Sequence, residues 1–158
     1  MRFTHSRPLK NLVLPAIFCM LAVHVVKAQE NENVRKAVDL LFDGMRTGDS
    51  TLLRKVFNPN SSLTSFSRNE KDSVIIHKSD AESFIKAAGK PHKEKWDERI
   101  YDVKILIDDM MATVWAPYKF YLGDTFSHCG VNVFSMIKTA SGWKIYEIKD
   151  TRRKTECL

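Results

Sequence analysis

The chain has 158 residues, of which 44% are hydrophobic and 28% charged, the balance of one globular domain. That composition excludes a disordered chain, a collagen and a multi-span membrane protein. The net charge of +6 does not point to nucleic acid as a partner: residues 1–28 hold Arg2, Arg7, Lys10 and Lys27 and no acid, which leaves 21 basic against 19 acidic side chains in the remainder, too even for a polyanion-binding surface.

Residues 1–10 are polar and basic, and residues 11–26 are largely apolar. Val26-Lys27-Ala28 then places small residues at the −3 and −1 positions, which predicts a secretory signal peptide cut after Ala28. A retained anchor needs ~20 apolar residues to cross a bilayer, and this run is shorter and interrupted by Pro15 and His24. The expected product begins at Gln29, is secreted or periplasmic, and has no stable membrane anchor. Ile17 and Phe18 stand where a lipoprotein cysteine needs small residues, so Cys19 is expected to leave with the signal. Cys129 and Cys157 remain, an even pair in an oxidising compartment. They are either bonded or two separate thiols.

The mature chain reads as helices followed by long strands. Val34, Ala37, Val38, Leu41 and Met45 form an i, i+3, i+4, i+7 stripe that predicts a helix over 31–46. Gly48-Asp49 ends it. Ser50 is the expected cap of a short helix over 51–57, and Asn58-Pro59-Asn60 a turn. Short strands are expected at 61–67 and 73–77. Ser79 and Glu82 read as a capping box for a helix over 81–88, stopped by Gly89 and Pro91. After a charged loop at 90–96 the period changes to two. Strands are expected at 98–107, 111–122, 125–138 and 143–151, with turns at Asp108-Asp109, Gly123-Asp124 and 139–142. The fold class is α+β, with three N-terminal helices on a strongly bent antiparallel sheet.

Pairing Leu122 with Thr125 and Lys138 with Trp143 puts Tyr118 opposite Cys129 and Val131 opposite Asp150. In that register both faces of the sheet are apolar. The helices can cover only one, so the other is expected to meet a second copy of the chain; a bulge that mixes the faces is the competing explanation.

The element order resembles the nuclear transport factor 2-like superfamily, nearest to its polyketide-cyclase-like and "putative lumazine-binding" branches. The residues that carry the resemblance are the run 112–121 (ATVWAPYKFY), Ser127-His128-Cys129-Gly130-Val131, Gly142-Trp143-Lys144-Ile145 and Asp150-Thr151-Arg152-Arg153. It spans nearly all of residues 31–153. It implies a cone-shaped fold with a pocket between curved sheet and helices, commonly dimeric through the sheet, and no cofactor. The superfamily hosts isomerases, dehydratases, cyclases and pure binding or assembly modules, so the fold does not fix the chemistry.

Trp115, Tyr118, Phe120 and Asn132 are the candidate pocket walls for a small apolar or aromatic ligand, or else plain core. His128 is the candidate acid–base residue, with Asp150 or Tyr118 assisting; an Asp150–His128 pair would raise and orient the imidazole. Its competing role is a structural histidine. Arg152 is a candidate anion holder at the rim, or part of a solvated basic tail. Cys129 is expected to face Arg152, close enough for Cys157 to fold back and bond it. There is no nucleophile elbow, phosphate loop or dinucleotide fingerprint, and His77, His92 and His128 lack metal-ligand spacing. The reading is an exported small-molecule-binding domain, with a cofactor-free isomerase or dehydratase and an assembly module as alternatives.

Overall fold

The computed structural model describes residues 13–157, with side chains from residue 27 onward. The basic start of the expected signal, residues 1–10, lies outside the described residues. The chain divides into two units, Met1–Glu32 and Asn33–Leu158. The described part of the first is helical and belongs to α1 (Val13–Thr47). Among the described residues no helix is long and apolar enough to cross a membrane.

The second unit holds the rest of α1, then α2 (Ser50–Val56), β1 (Phe57–Arg68), β2 (Val74–Asp80), α3 (Ala81–Ala88), β3 (Trp96–Ile100), β4 (Lys104–Asp108), β5 (Met111–Leu122), β6 (Thr125–Thr139) and β7 (Gly142–Thr151). The α1 stripe is buried as its spacing requires, and Phe42 joins it. The third helix has the expected bounds and the first begins earlier than the expected residue 31, while the caps of α2 and α3 each differ from expectation by one residue. Asp49, not Ser50, caps α2, its carboxylate accepting from Thr51 N at 2.8 Å and Leu52 N at 3.1 Å. Asp80, not Ser79, caps α3, accepting from Ser83 N at 2.7 Å. In both places an extended aspartate stands directly before the helix, and a carboxylate is the better acceptor for the first free N–H groups. Glu82 is thereby released to pair with Arg54.

The strands form one sheet in the order β2-β1-β7-β6-β5-β3, with β4 also on β5. Three helices on a curved sheet is the expected architecture, and it is what the structure has. The sheet is not wholly antiparallel: β1 runs parallel to β7, since no hairpin joins the two and none forces reversal. The strand expected over 98–107 is broken. Asp102 adopts φ +42°, a left-handed conformation aspartate tolerates, and β3 and β4 pair separately with β5.

Two bulges change the register. Both expected turn pairs form, Leu122 with Thr125 and Lys138 with Trp143. Between Phe120 and Tyr121, however, the β5–β6 ladder slips by one, so Phe120 faces His128 and Tyr118 faces Gly130, not Cys129. A second slip, at Ser135/Met136, sets Asn132 rather than Val131 opposite Asp150. Each extra residue inverts the facing of everything beyond it. The inner face therefore carries Val114, Ala116, Tyr118, Asn132, Phe134, Met136 and Ile148, all buried against α1, α2 and α3. The outer face stays partly apolar: Leu106, Met111 and Trp115 are exposed there, Leu106 at 73%.

Cys129 and Cys157 are bonded, with Cα atoms 5.8 Å apart. Cys129 pairs with Arg153 rather than Arg152, through two backbone hydrogen bonds of 2.8 and 2.9 Å. The last residues are thus fastened to the outer face of β6.

Candidate functional site

Three cross-strand rows build the polar end of a cavity between the inner face of the sheet, α1 and α3. One row is Glu98, Phe120 and His128. The next is Ile100, Tyr118 and Gly130. The third is Ala116, Asn132, Asp150 and Ser65. The bulge at Phe120/Tyr121 is what turns His128 inward beside Phe120, since a regular ladder would send it to the outer face.

The cavity has a volume of about 350 Å³ and is walled by Met45, Leu63, Phe84, Ala87, Trp96, Phe120 and Leu122, with Ser65, His77, Ser79, Ser83, Glu98, His128 and Arg152 as its polar groups. A recess of about 60 Å³ continues inward to Tyr118, Asn132 and Asp150 and shares Glu98, His128 and Arg152 with the outer chamber. Apolar side chains and a few polar groups line both chambers, the make-up of a small-molecule site.

Asp150 anchors the inner end. Its Oδ1 accepts from Ser65 Oγ at 2.5 Å, and its Oδ2 from Tyr118 Oη at 3.1 Å and Arg152 Nε at 2.8 Å. Tyr118 Oη also lies 3.1 Å from the Thr151 carbonyl. Burial first, then the charges of Asp150 and Glu98, raise the Tyr118 pKa, so it remains a phenol and spends its proton on these acceptors. Arg152 is half-exposed; of its side-chain nitrogens only Nε has a hydrogen-bond partner among the described residues, and the side chain borders both chambers and a neighbouring surface groove.

Glu98 is half-buried in the cavity wall and accepts from Asn132 Nδ2 at 2.6 Å through Oε1. Burial pushes its carboxyl up to about 7; the charge of Asp150 adds to the rise, while the Asn132 hydrogen bond and Arg152 oppose it. Between pH 4.5 and 7 the folded protein therefore holds a proton that the unfolded chain has released, and stability falls as pH rises. The expected loss is about 1–2 kcal/mol after allowance for partial solvent access. Urea titrations at pH 5 and pH 8 are expected to show that loss in the wild type and not in Glu98→Gln; the same loss in both would show that another group titrates.

The expected Asp150–His128 pair does not form. Asp150 lies two rows away, with both oxygens engaged, and His128 Nδ1 is 3.0 Å from Ser127 Oγ. Burial, with help from the charge of Arg152, lowers the imidazole pKa, the opposite of what an aspartate partner would do. The remaining candidates sort by sheet face. Tyr118, Asn132 and Asp150 line the recess, Phe120 the mouth, and His128 and Arg152 both chambers. Trp115 does not line it: one residue out of phase with Tyr118's row, it stands on the outer face, 45% exposed. Sequence reasoning missed Glu98 and Ser65. Trp96, Glu98 and Ile100 alternate onto one face, so an acid between two apolar side chains was the available signal. Among the described residues no group of His, Cys, Asp and Glu is placed to hold a metal ion.

Residues 29–147 match the model of the family described as "Putative lumazine-binding". The chain belongs to that family. No curated protein matches this one. Among solved structures, an NTF2-like protein with a cystatin-like fold from Novosphingobium aromaticivorans superposes with a TM-score of 0.67 at 10% identity, over 94% of each chain. An NTF2-like protein of unknown function from Shewanella baltica gives 0.58 at 15% identity, over 81% of this chain and 97% of its own. The CaMKII hub of S. rosetta gives 0.58 at 16% identity, over 77% of this chain and 95% of its own. At these identities the likeness is one of fold. It places this member of the lumazine-binding family among NTF2-like proteins.

Proposed function

We propose that the chain is an exported protein whose cavity binds a small, largely aromatic molecule without turning it over. The observation that carries this reading is the cavity itself, with mainly apolar walls and a few convergent polar groups, of which Glu98, His128 and Arg152 are shared by its two chambers. The family's description agrees with a small ligand. The binding reading is preferred to acid–base catalysis by His128 because the imidazole has no carboxylate partner.

Export rests on the signal-like residues 1–28, and the family match beginning at residue 29 is in keeping with cleavage after Ala28. The Cys129–Cys157 bond suits an oxidising compartment. Exposed Leu106, Met111 and Trp115 on the outer sheet face support a homodimer through that face, and the hub-like neighbour leaves assembly as a second role. Sedimentation at micromolar concentration is expected to give twice the chain mass; a monomer would remove the dimer.

Ala87 is an exposed residue of α3 at the cavity mouth, so Ala87→Trp fills the entrance without entering the core. It is expected to weaken binding of the neutral dye N-phenyl-1-naphthylamine at least tenfold while leaving the melting temperature within about 3 °C. Unchanged dye binding would place the ligand elsewhere.

A further inference from the structure

We propose that the ligand is a hydrophobic weak acid, an aromatic body bearing one carboxylate, taken up together with a proton that bridges its carboxylate to Glu98. The inference rests on the cavity being the binding site and adds the chemical class of its occupant.

The inner end is assembled from groups whose commitments can be followed one by one. Asp150 carries a full charge, but Ser65, Tyr118 and Arg152 already donate to it. Arg152 balances that charge through Nε, and its side chain lines the cavity with no hydrogen-bond partner on either Nη among the described residues. Tyr118 has spent its single proton on Asp150 and Thr151. Glu98 is fixed by Asn132 through one oxygen, and its second oxygen has no partner among the described residues. Among the groups left to meet a ligand are Oε2 of Glu98 and the guanidinium of Arg152 beyond Nε, on residues that border the same space, with His128 beside them.

With Glu98 protonated, both are donors and the Asp150–Arg152 pair sums to zero. An anionic oxygen pair then finds a guanidinium on one side and a carboxylic O–H on the other. With Glu98 ionised, the same ligand would set two carboxylates against each other in a partly desolvated recess, which disfavours binding. Glu98 is the group suited to hold the proton, because burial keeps its carboxyl near neutral pH. The other titratable and charged groups facing this space are His77 from β2, Tyr118 from β5, His128 from β6, and Asp150 and Arg152 from β7. Of these, Tyr118 stays protonated and burial favours neutral His128. The aromatic body would lie between Phe84, Trp96 and Phe120. Uptake is a balanced step: the carboxylate enters, one proton comes from solvent to Glu98, and no covalent bond in the ligand changes.

The test uses two probes of the same shape, 2-naphthoate and the neutral ketone 2-acetonaphthone, titrated calorimetrically into the purified protein from pH 5.5 to 9. The affinity for 2-naphthoate is expected to fall about tenfold per pH unit above 7. Close to one proton should be taken up per ligand at pH 8, read from buffers of different ionisation enthalpy. Glu98→Gln, which always donates, is expected to bind 2-naphthoate with no such fall. The proton uptake needs no variant and decides the matter even if Glu98→Gln does not fold. Binding of the ketone without binding of naphthoate would overturn the proposal and leave the cavity reading standing, as would naphthoate binding without proton uptake. If neither probe binds, the cavity reading falls and the proposal with it.

Discussion

Gly130→Ala is expected to cost more than about 4 kcal/mol, or to prevent folding outright. A Cβ at position 130 would overlap the backbone carbonyl oxygen of Thr151 and stand 3.0 Å from Tyr118 Cε1. Neither neighbour can yield. The Thr151 carbonyl accepts from Tyr118 Oη, and the strand holding it is tied down by the Cys129–Arg153 bridge next door. The close approach that only glycine permits brings Arg152 and Tyr118 over the centre of β6 and into the cavity. Urea denaturation of the variant would check it. A loss below about 1 kcal/mol would mean that β7 can move away, and that the rows forming the inner end of the cavity are not fixed by this contact.

The second large effect belongs to Asp150. Asp150→Ala removes one acceptor and leaves three donors, the Ser65 and Tyr118 hydroxyls and Arg152 Nε, pointing at the space it occupied. Ser65 is buried, so its hydroxyl loses solvation with nothing in return, whereas Tyr118 Oη keeps the Thr151 carbonyl as its acceptor. A cost of about 3 kcal/mol is expected from the unpaired groups, reduced somewhat because half-exposed Arg152 can turn to solvent. A double-mutant cycle with Ser65→Ala should show coupling of about 1 kcal/mol or more. If the two losses simply add, the hydroxyl is not held by the carboxylate and the network as described is wrong.

The parts of the fold visible in the sequence were those governed by periodicity. The stripe from Val34 to Met45, the alternation along 111–122 and 125–138, and the glycine turns at Gly123 and Gly142 each follow from one local rule. Asp150 was legible from its place near the middle of the strand that pairs with His128's strand, and Asn132 as a polar candidate among the pocket walls. What was not visible came from single inserted residues. The two bulges moved Tyr118 from Cys129 to Gly130 and Asp150 from Val131 to Asn132, and nothing in the identities of Ser127 or Tyr146 announces a bulge. Trp115 is the candidate pocket wall that fails, because strand alternation sends it to the other face from Tyr118 and Phe120. Glu98 went unread because the strand was expected to run unbroken through Asp102, whose left-handed backbone is a choice made by the tertiary structure. The disulfide could be anticipated from cysteine arithmetic, but its proximity depended on the register.

The central claim is that the cavity bounded by Trp96, Phe120, Glu98 and Arg152 holds a small organic molecule. A non-denaturing mass spectrum of the protein taken from its native compartment tests it most directly. The account predicts a mass excess of small-molecule size that is lost on acid denaturation and is absent from Ala87→Trp. The same excess in Ala87→Trp would contradict it by placing the molecule elsewhere, and a bare protein that also fails to retain added 2-acetonaphthone would contradict the claim itself.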